Sequence, residues 1–187
     1  IEHTFFKGST NRPSSIQIAM DTELMGANSN AFTSYEYTGY YIKVPKDNFK
    51  KSVEILADML LNPLFSEEEL DKERGVIIEE IRMYEDIPRE RVRQSFMENV
   101  FKDNPLAQDI AGTVKSMQDM HRDELLNFVD ANYNSSNIVI SIAGSVTPDE
   151  AMDVLNQEFA GIQNGSAASF EKMESYKLDS KVDVIND

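Results

Sequence analysis

Hydrophobic positions along this chain change period several times, and each change marks an element. Residues 1 to 7 read as the end of a helix closed by Gly8, followed by a loop at Asn11-Arg12-Pro13. From residue 14 to 24, Ile16, Ala19, Met20 and Leu24 recur at helical spacing, which predicts a helix burying that face. Residues 26 to 28 form a turn. Residues 30 to 44 are rich in Thr, Tyr, Phe and Ile and predict two strands, broken near residues 36 to 39 and ended by Pro45. The helical period returns at residues 47 to 61, where Phe49, Val53, Leu56 and Leu60 share a face, until Asn62-Pro63 stops it.

Ser66 and Glu69 form a capping-box pattern that opens a helix to about residue 84. A further helix runs from Pro88 to about residue 101, and Asn104-Pro105 breaks it. A short helix at residues 114 to 117 and a longer one at 122 to 131 follow. The run Asn-Ile-Val-Ile-Ser-Ile-Ala at residues 137 to 143 predicts a buried strand closed by Gly144. Thr147 and Glu150 frame a second capping box with Pro148 at the first helical position, and that helix ends near Phe159. Residues 161 to 169 are a polar connector, and residues 177 to 185 alternate like one more strand. Strands grouped with long helices, without regular strand–helix alternation, predict an α+β fold.

The chain of 187 residues is long enough for one compact domain with its own core. An apolar fraction of 41% is ordinary for a globular protein, and no apolar run approaches the length of a membrane span. A net charge of −15 sets nucleic acid aside as a partner and reads first as an acidic, solvated surface, with attraction of basic peptides as the second reading. The absence of cysteine excludes disulfides and thiolate metal sites, so any metal would sit among nitrogen and oxygen ligands.

Two groups of residues carry candidate chemistry. The chain opens Ile1-Glu2-His3, which alone is unremarkable. Further on, Glu73 and Glu80 lie seven apart and so within about 20° of one line on a helix. Ile77, Ile81 and Tyr84 neighbour Glu80 on that face, whereas Glu79 turns away beside Val76, Arg82 and Met83. Two carboxylates on an apolar stripe are costly unless compensated. A metal with its ligands would compensate them, and so would a border position from which both reach solvent. His121 matches neither group and reads as a surface or capping residue.

Ile1-Glu2-His3-Thr4-Phe5-Phe6-Lys7-Gly8 resembles the end of the inverted zinc motif H-x-x-E-H of the pitrilysin/insulinase (M16, inverzincin) metallopeptidases. That family places a distal Glu 77 residues after the second His of the motif, and counting from His3 lands on Glu80. It also has a supporting Glu seven residues earlier, which matches Glu73. The stretches from Gly26 to Thr38 and from Glu79 to Pro88 resemble the bacterial processing-protease branch. Thinner likeness continues through residues 110 to 113, 132 to 133 and 142 to 144.

The resemblance implies a largely antiparallel sheet with helices packed on one face, as in mitochondrial-processing-peptidase-like enzymes. It implies one N-terminal catalytic-type domain over residues 1 to 187, with the first motif His two positions before Ile1 and a homologous second domain beyond. The implied activity is a zinc-dependent endopeptidase that hydrolyses short or unfolded peptides with a metal-activated water. His3 and Glu80 would ligate Zn2+, Glu2 would be the general base, and Glu73 would orient a ligand His. Asn30, Ala31, Phe32, Thr33 and Ser34 resemble the edge strand to which a peptide substrate adds; the residues alone equally allow an ordinary strand with Phe32 in the core. Implied partners are the peptide, the homologous domain and, among allowed assemblies, a second copy, with neither nucleic acid nor membrane. The bacterial character suggests the cytoplasm. Two other readings exist: a non-catalytic structural or substrate-presenting subunit of the same family, and an acidic interaction domain without metal.

Overall fold

A computed structural model of the chain describes residues 1–102 and 104–169. The chain begins with a 3-10 helix, Glu2–Lys7, and continues through α1 (Ser15–Leu24), β1 (Asn28–Thr33), β2 (Thr38–Lys43) and α2 (Phe49–Leu61). Then come α3 (Glu67–Glu85), α4 (Pro88–Val100), α5 (Val114–Asp119), α6 (Arg122–Asn132) and α7 (Pro148–Glu158). The fold class is α+β. Two compact units divide the chain: Ile1–Glu73 with His121–Ala168, and Arg74–Met120.

Local sequence explains where these helices start. The Ser14 hydroxyl accepts from the Gln17 N–H at 3.2 Å and caps α1, and Thr147 does the same for α7 through Glu150 N–H at 3.2 Å. Glu69 N–H donates to Ser66 Oγ at 3.4 Å ahead of α3, whose first turn carries Glu67, Glu68 and Glu69 against the positive end of the helix dipole. β1 and β2 form an antiparallel hairpin in the register Asn28↔Lys43 to Thr33↔Thr38, and the turn is closed by Ser34 N–H donating to Tyr37 C=O at 2.8 Å.

The first unit holds two hydrophobic clusters. Ile18, Met25, Ile55 and Met59 form one, with Phe6, Ala27, Ile42 and Val44 against it. Phe5, Phe65 and Leu70 form the other, with Tyr40, Leu60, Leu125, Leu126, Val129 and Tyr133 around them. Phe5 is 0% exposed and meets Tyr40, Phe65 and Tyr133 at ring separations of 5.3, 5.1 and 4.9 Å. Adjacent residues of the 3-10 helix thus enter different clusters, which fixes its rotation about its own axis. In the second unit, Arg74 donates to the C=O groups of Met117 (2.5 Å) and Met120 (2.8 Å), satisfying carbonyls at the end of α5.

Three sequence expectations are corrected. The α1 face built on Ile16, Met20 and Leu24 is exposed, Leu24 at 83%, and the helix instead buries Ile18 and Thr22. The neighbouring cluster needs Ile18 beside Met25, and that contact outweighs the stripe. Residues 137 to 143 are not a buried strand: they carry no sheet pairing and Val139 is 91% exposed. Their alternation is sound, since Ile138 and Ile140 line a hollow with Leu155 of α7 and Phe159 at its C-terminal cap. What fails is the pairing, because among the described residues no strand lies beside them. Tyr84, expected to face inward, is also exposed. The strand expected at residues 177 to 185 lies outside the described residues.

Candidate active site

The N-terminal 3-10 helix carries Glu2, His3 and Lys7 and is held at both ends. Thr4 Oγ1 donates to Ile1 C=O at 2.6 Å. After Lys7 the backbone turns at Gly8, where φ is 147° and a Cβ would lie 2.9 Å from the Pro13 carbonyl oxygen, so only glycine fits. With Phe5 and Phe6 anchored, the polar residues of this short helix have fixed directions.

Glu73, on α3, is only 4% exposed. Lys7 Nζ lies 3.0 Å from Oε1, and His3 Nδ1 lies 3.5 Å from Oε2. Oε2 is buried without a hydrogen-bond partner. The lysine therefore carries the charge balance of this buried carboxylate. The second oxygen is turned to the imidazole at a distance that a small movement would close to a hydrogen bond. An imidazole held through Nδ1 presents Nε2 outward as a lone-pair donor. Glu2 points elsewhere: the Thr33 hydroxyl, at the end of β1, donates to Glu2 Oε2. Behind the helix, Tyr40 and Tyr133 share a hydroxyl–hydroxyl hydrogen bond of 3.0 Å, and burial pushes both phenols above their ordinary pKa.

The structure thus brings Glu2 to Thr33 and His3 to Glu73, all within one unit. Asn30, Ala31, Phe32 and Thr33 lie on β1, and Ser34 begins the hairpin turn. Along β1, Phe32 stands on the opposite face to Ala31 and Thr33, its ring over Gly39 and edge-on to Tyr37 at 5.8 Å, rather than in the core. Glu80 sits half-buried on α3, two turns after Glu73, while Glu79 is exposed and paired with Arg82 at 2.5 Å. His121 precedes α6, its backbone N–H bound by the Glu124 carboxylate at 2.7 Å. Among the described residues no group of three or more His, Asp or Glu side chains is close enough to hold a metal.

Lys7 and Arg12 were not legible as site residues. Lys7 carried a signal, since its four-residue spacing from His3 would make the two neighbours on an α-helix. Arg12 did not, because its partners are distant in sequence. It is 3% exposed, and its Nε, Nη2 and Nη1 atoms meet Asp21 (2.8 Å), Glu54 (2.9 Å) and Asp58 (3.0 Å). Asp58 also accepts from Ser9 Oγ at 2.5 Å and Asn11 Nδ2 at 2.9 Å. With Thr10 N–H on Asn62 C=O and Leu64 N–H on Gly8 C=O, the loop after the 3-10 helix is tied to the segment that leads into α3.

The sequence of residues 1–114 matches the profile of the insulinase family, peptidase family M16, and residues 119–186 match that of the peptidase M16 inactive domain. The chain belongs to the M16 family. Among its M16 relatives, an uncharacterized zinc protease of Rickettsia felis is 36% identical over 170 residues, 91% of this chain and 41% of that protein. The mitochondrial-processing peptidase subunit beta of Dictyostelium discoideum is 33% identical over 163 residues, 87% of this chain and 35% of that protein. The crystal structure of pitrilysin shares the fold with a TM-score of 0.80 at 22% identity, covering 92% of this chain and 19% of that one. The chain spans about two-fifths of the length of such curated relatives. The insulinase match includes every residue from Glu2 to Glu80 considered above. Among the described residues no helix is long and apolar enough to cross a membrane.

Proposed function

We propose that this chain is the metal-bearing part of a zinc endopeptidase acting on peptides. The observation that carries the reading is the buried Glu73 carboxylate, charge-balanced by Lys7 and with one unpartnered oxygen turned to His3. That arrangement orients a histidine for a metal ligand's task. Membership of M16, with relatives named zinc proteases, supports it.

The donor set of imidazole and carboxylates fits zinc, as part of a shell that needs a third protein ligand besides His3 and Glu80. His3 would ligate through Nε2 and Glu80 through a carboxylate oxygen. When bound, zinc supplies a Lewis acid for the scissile carbonyl and for the attacking water. Glu73 holds the His3 ring. Glu2 takes the proton of the attacking water and later delivers it to the leaving amine. The backbone edge of β1 that β2 leaves open aligns the peptide as an added strand.

The test uses the natural full-length protein. Glu2→Gln is expected to retain zinc by elemental analysis and to lose peptide hydrolysis by about 10²- to 10⁴-fold. Undiminished turnover would remove Glu2 from the chemistry, and a wild-type protein free of zinc would remove the metal.

A further inference from the structure

The end of β1 offers Glu2 a hydrogen-bond partner. Thr33 forms the last pair of the hairpin ladder with Thr38, and the following turn is closed through Ser34 and Tyr37. Phe32, next to it, is pinned on the opposite face against Gly39 and Tyr37. The pleat therefore sends the Thr33 side chain to the other face, and there its hydroxyl donates to Glu2 Oε2. Glu2 itself sits on a helix whose rotation is fixed by Phe5 and Phe6. One oxygen of the carboxylate is thus held by a rigid strand end, and the other remains for a proton.

We infer that Thr33 is a positioning residue for Glu2, and that its side chain serves the proton-transfer carboxylate while the β1 backbone serves the peptide. The assignment rests on the proposed role of Glu2 as base. A carboxylate free to rotate presents its accepting oxygen to the water only part of the time. A hydroxyl on a strand end removes that freedom before substrate arrives. Substrate binding through the backbone of β1 does not depend on the hydroxyl.

Thr33→Val keeps the branched shape and strand preference and removes only the donor. Because Thr33 is exposed, the fold survives the change. In the natural full-length protein, Thr33→Val is expected to lower kcat on a fluorogenic peptide by about tenfold or more, with KM within about twofold. Thr33→Ser, which restores the hydroxyl, recovers most of the rate. In a Glu2→Gln background the Val substitution adds nothing further, because the two side chains act as one unit. A raised KM with unchanged kcat would make Thr33 a substrate contact and overturn the assignment, as would failure of Ser to rescue. If Glu2→Gln is inactive and Thr33→Val is not slowed, the Thr33 role alone is wrong. If Glu2→Gln is as active as wild type, or the wild type hydrolyses nothing, the base and its positioning residue fall together.

Discussion

A carboxylate as buried as Glu73 is stable only because its charge is met, and Lys7 meets it at 3.0 Å. The lysine and His3 belong to the same short helix and both reach Glu73, so one carboxylate serves two residues of that helix. On the proposed reading, this division lets Glu73 orient His3 without being a ligand itself. Glu73→Gln preserves size but offers an amide whose N–H2 can face the imidazole, so the ring loses its acceptor. The expected result in the full-length protein is a fall in zinc affinity of about 10- to 100-fold, read by competition with a chromophoric chelator. An unchanged dissociation constant would show that the His3 orientation is set elsewhere.

Between elements, Arg12 joins the loop after the 3-10 helix to α1 and α2 through three ion pairs. Arg12→Met leaves Asp58 buried with no cation and takes from Asp21 and Glu54 their guanidinium partner, Glu54 keeping only Lys51 at 2.6 Å. The expected cost is about 3–5 kcal/mol in urea unfolding. Arg12→Lys should recover little of it, since one ammonium cannot replace three guanidinium nitrogens aimed at three carboxylates. The same tie makes stability acid-sensitive. Burial alone would raise the Glu54 pKa, but hydrogen bonds from Lys51 and Arg12 outweigh it and hold the carboxyl below its ordinary 4.5. A carboxyl lowered in the folded state contributes stability above the unfolded pKa and loses it as pH falls through the folded value. Thermal midpoints by circular dichroism should therefore drop as pH goes below about 4.5, and Glu54→Gln should flatten that drop. These ties also mark what sequence could reveal. Helix starts at Ser14, Ser66 and Thr147, the two strands between residues 30 and 44 and the Glu73/Glu80 spacing are local patterns, and they were legible. The buried face of α1 depends on what Met25 and Ile55 occupy. The pairing of residues 137 to 143 depends on a neighbour. The Arg12 partners lie on α1 and α2. None of these is a local property, and each escaped a reading by period.

At the scale of the molecule, the question is how much of a metallopeptidase these residues make by themselves. A catalytic zinc has three protein ligands and an open position. Among the described residues no three candidate side chains converge, although His3 and Glu73 meet and Glu80 follows on the same helix. The M16 relatives matched by this chain are more than twice its length. The 187-residue chain in isolation is therefore expected to bind zinc more weakly than the full-length protein. It should hydrolyse a quenched fluorescent peptide no faster than its chelator-treated control. The acidic surface adds a second readout in the full-length protein: if the net charge of −15 attracts substrate, KM for a basic peptide should rise with salt while that for a neutral one stays level. Stoichiometric, tight zinc uptake by the isolated chain, with chelator-sensitive turnover, would mean that these residues complete the shell without help. The site would then have to be drawn from His3, Glu73 and Glu80 alone.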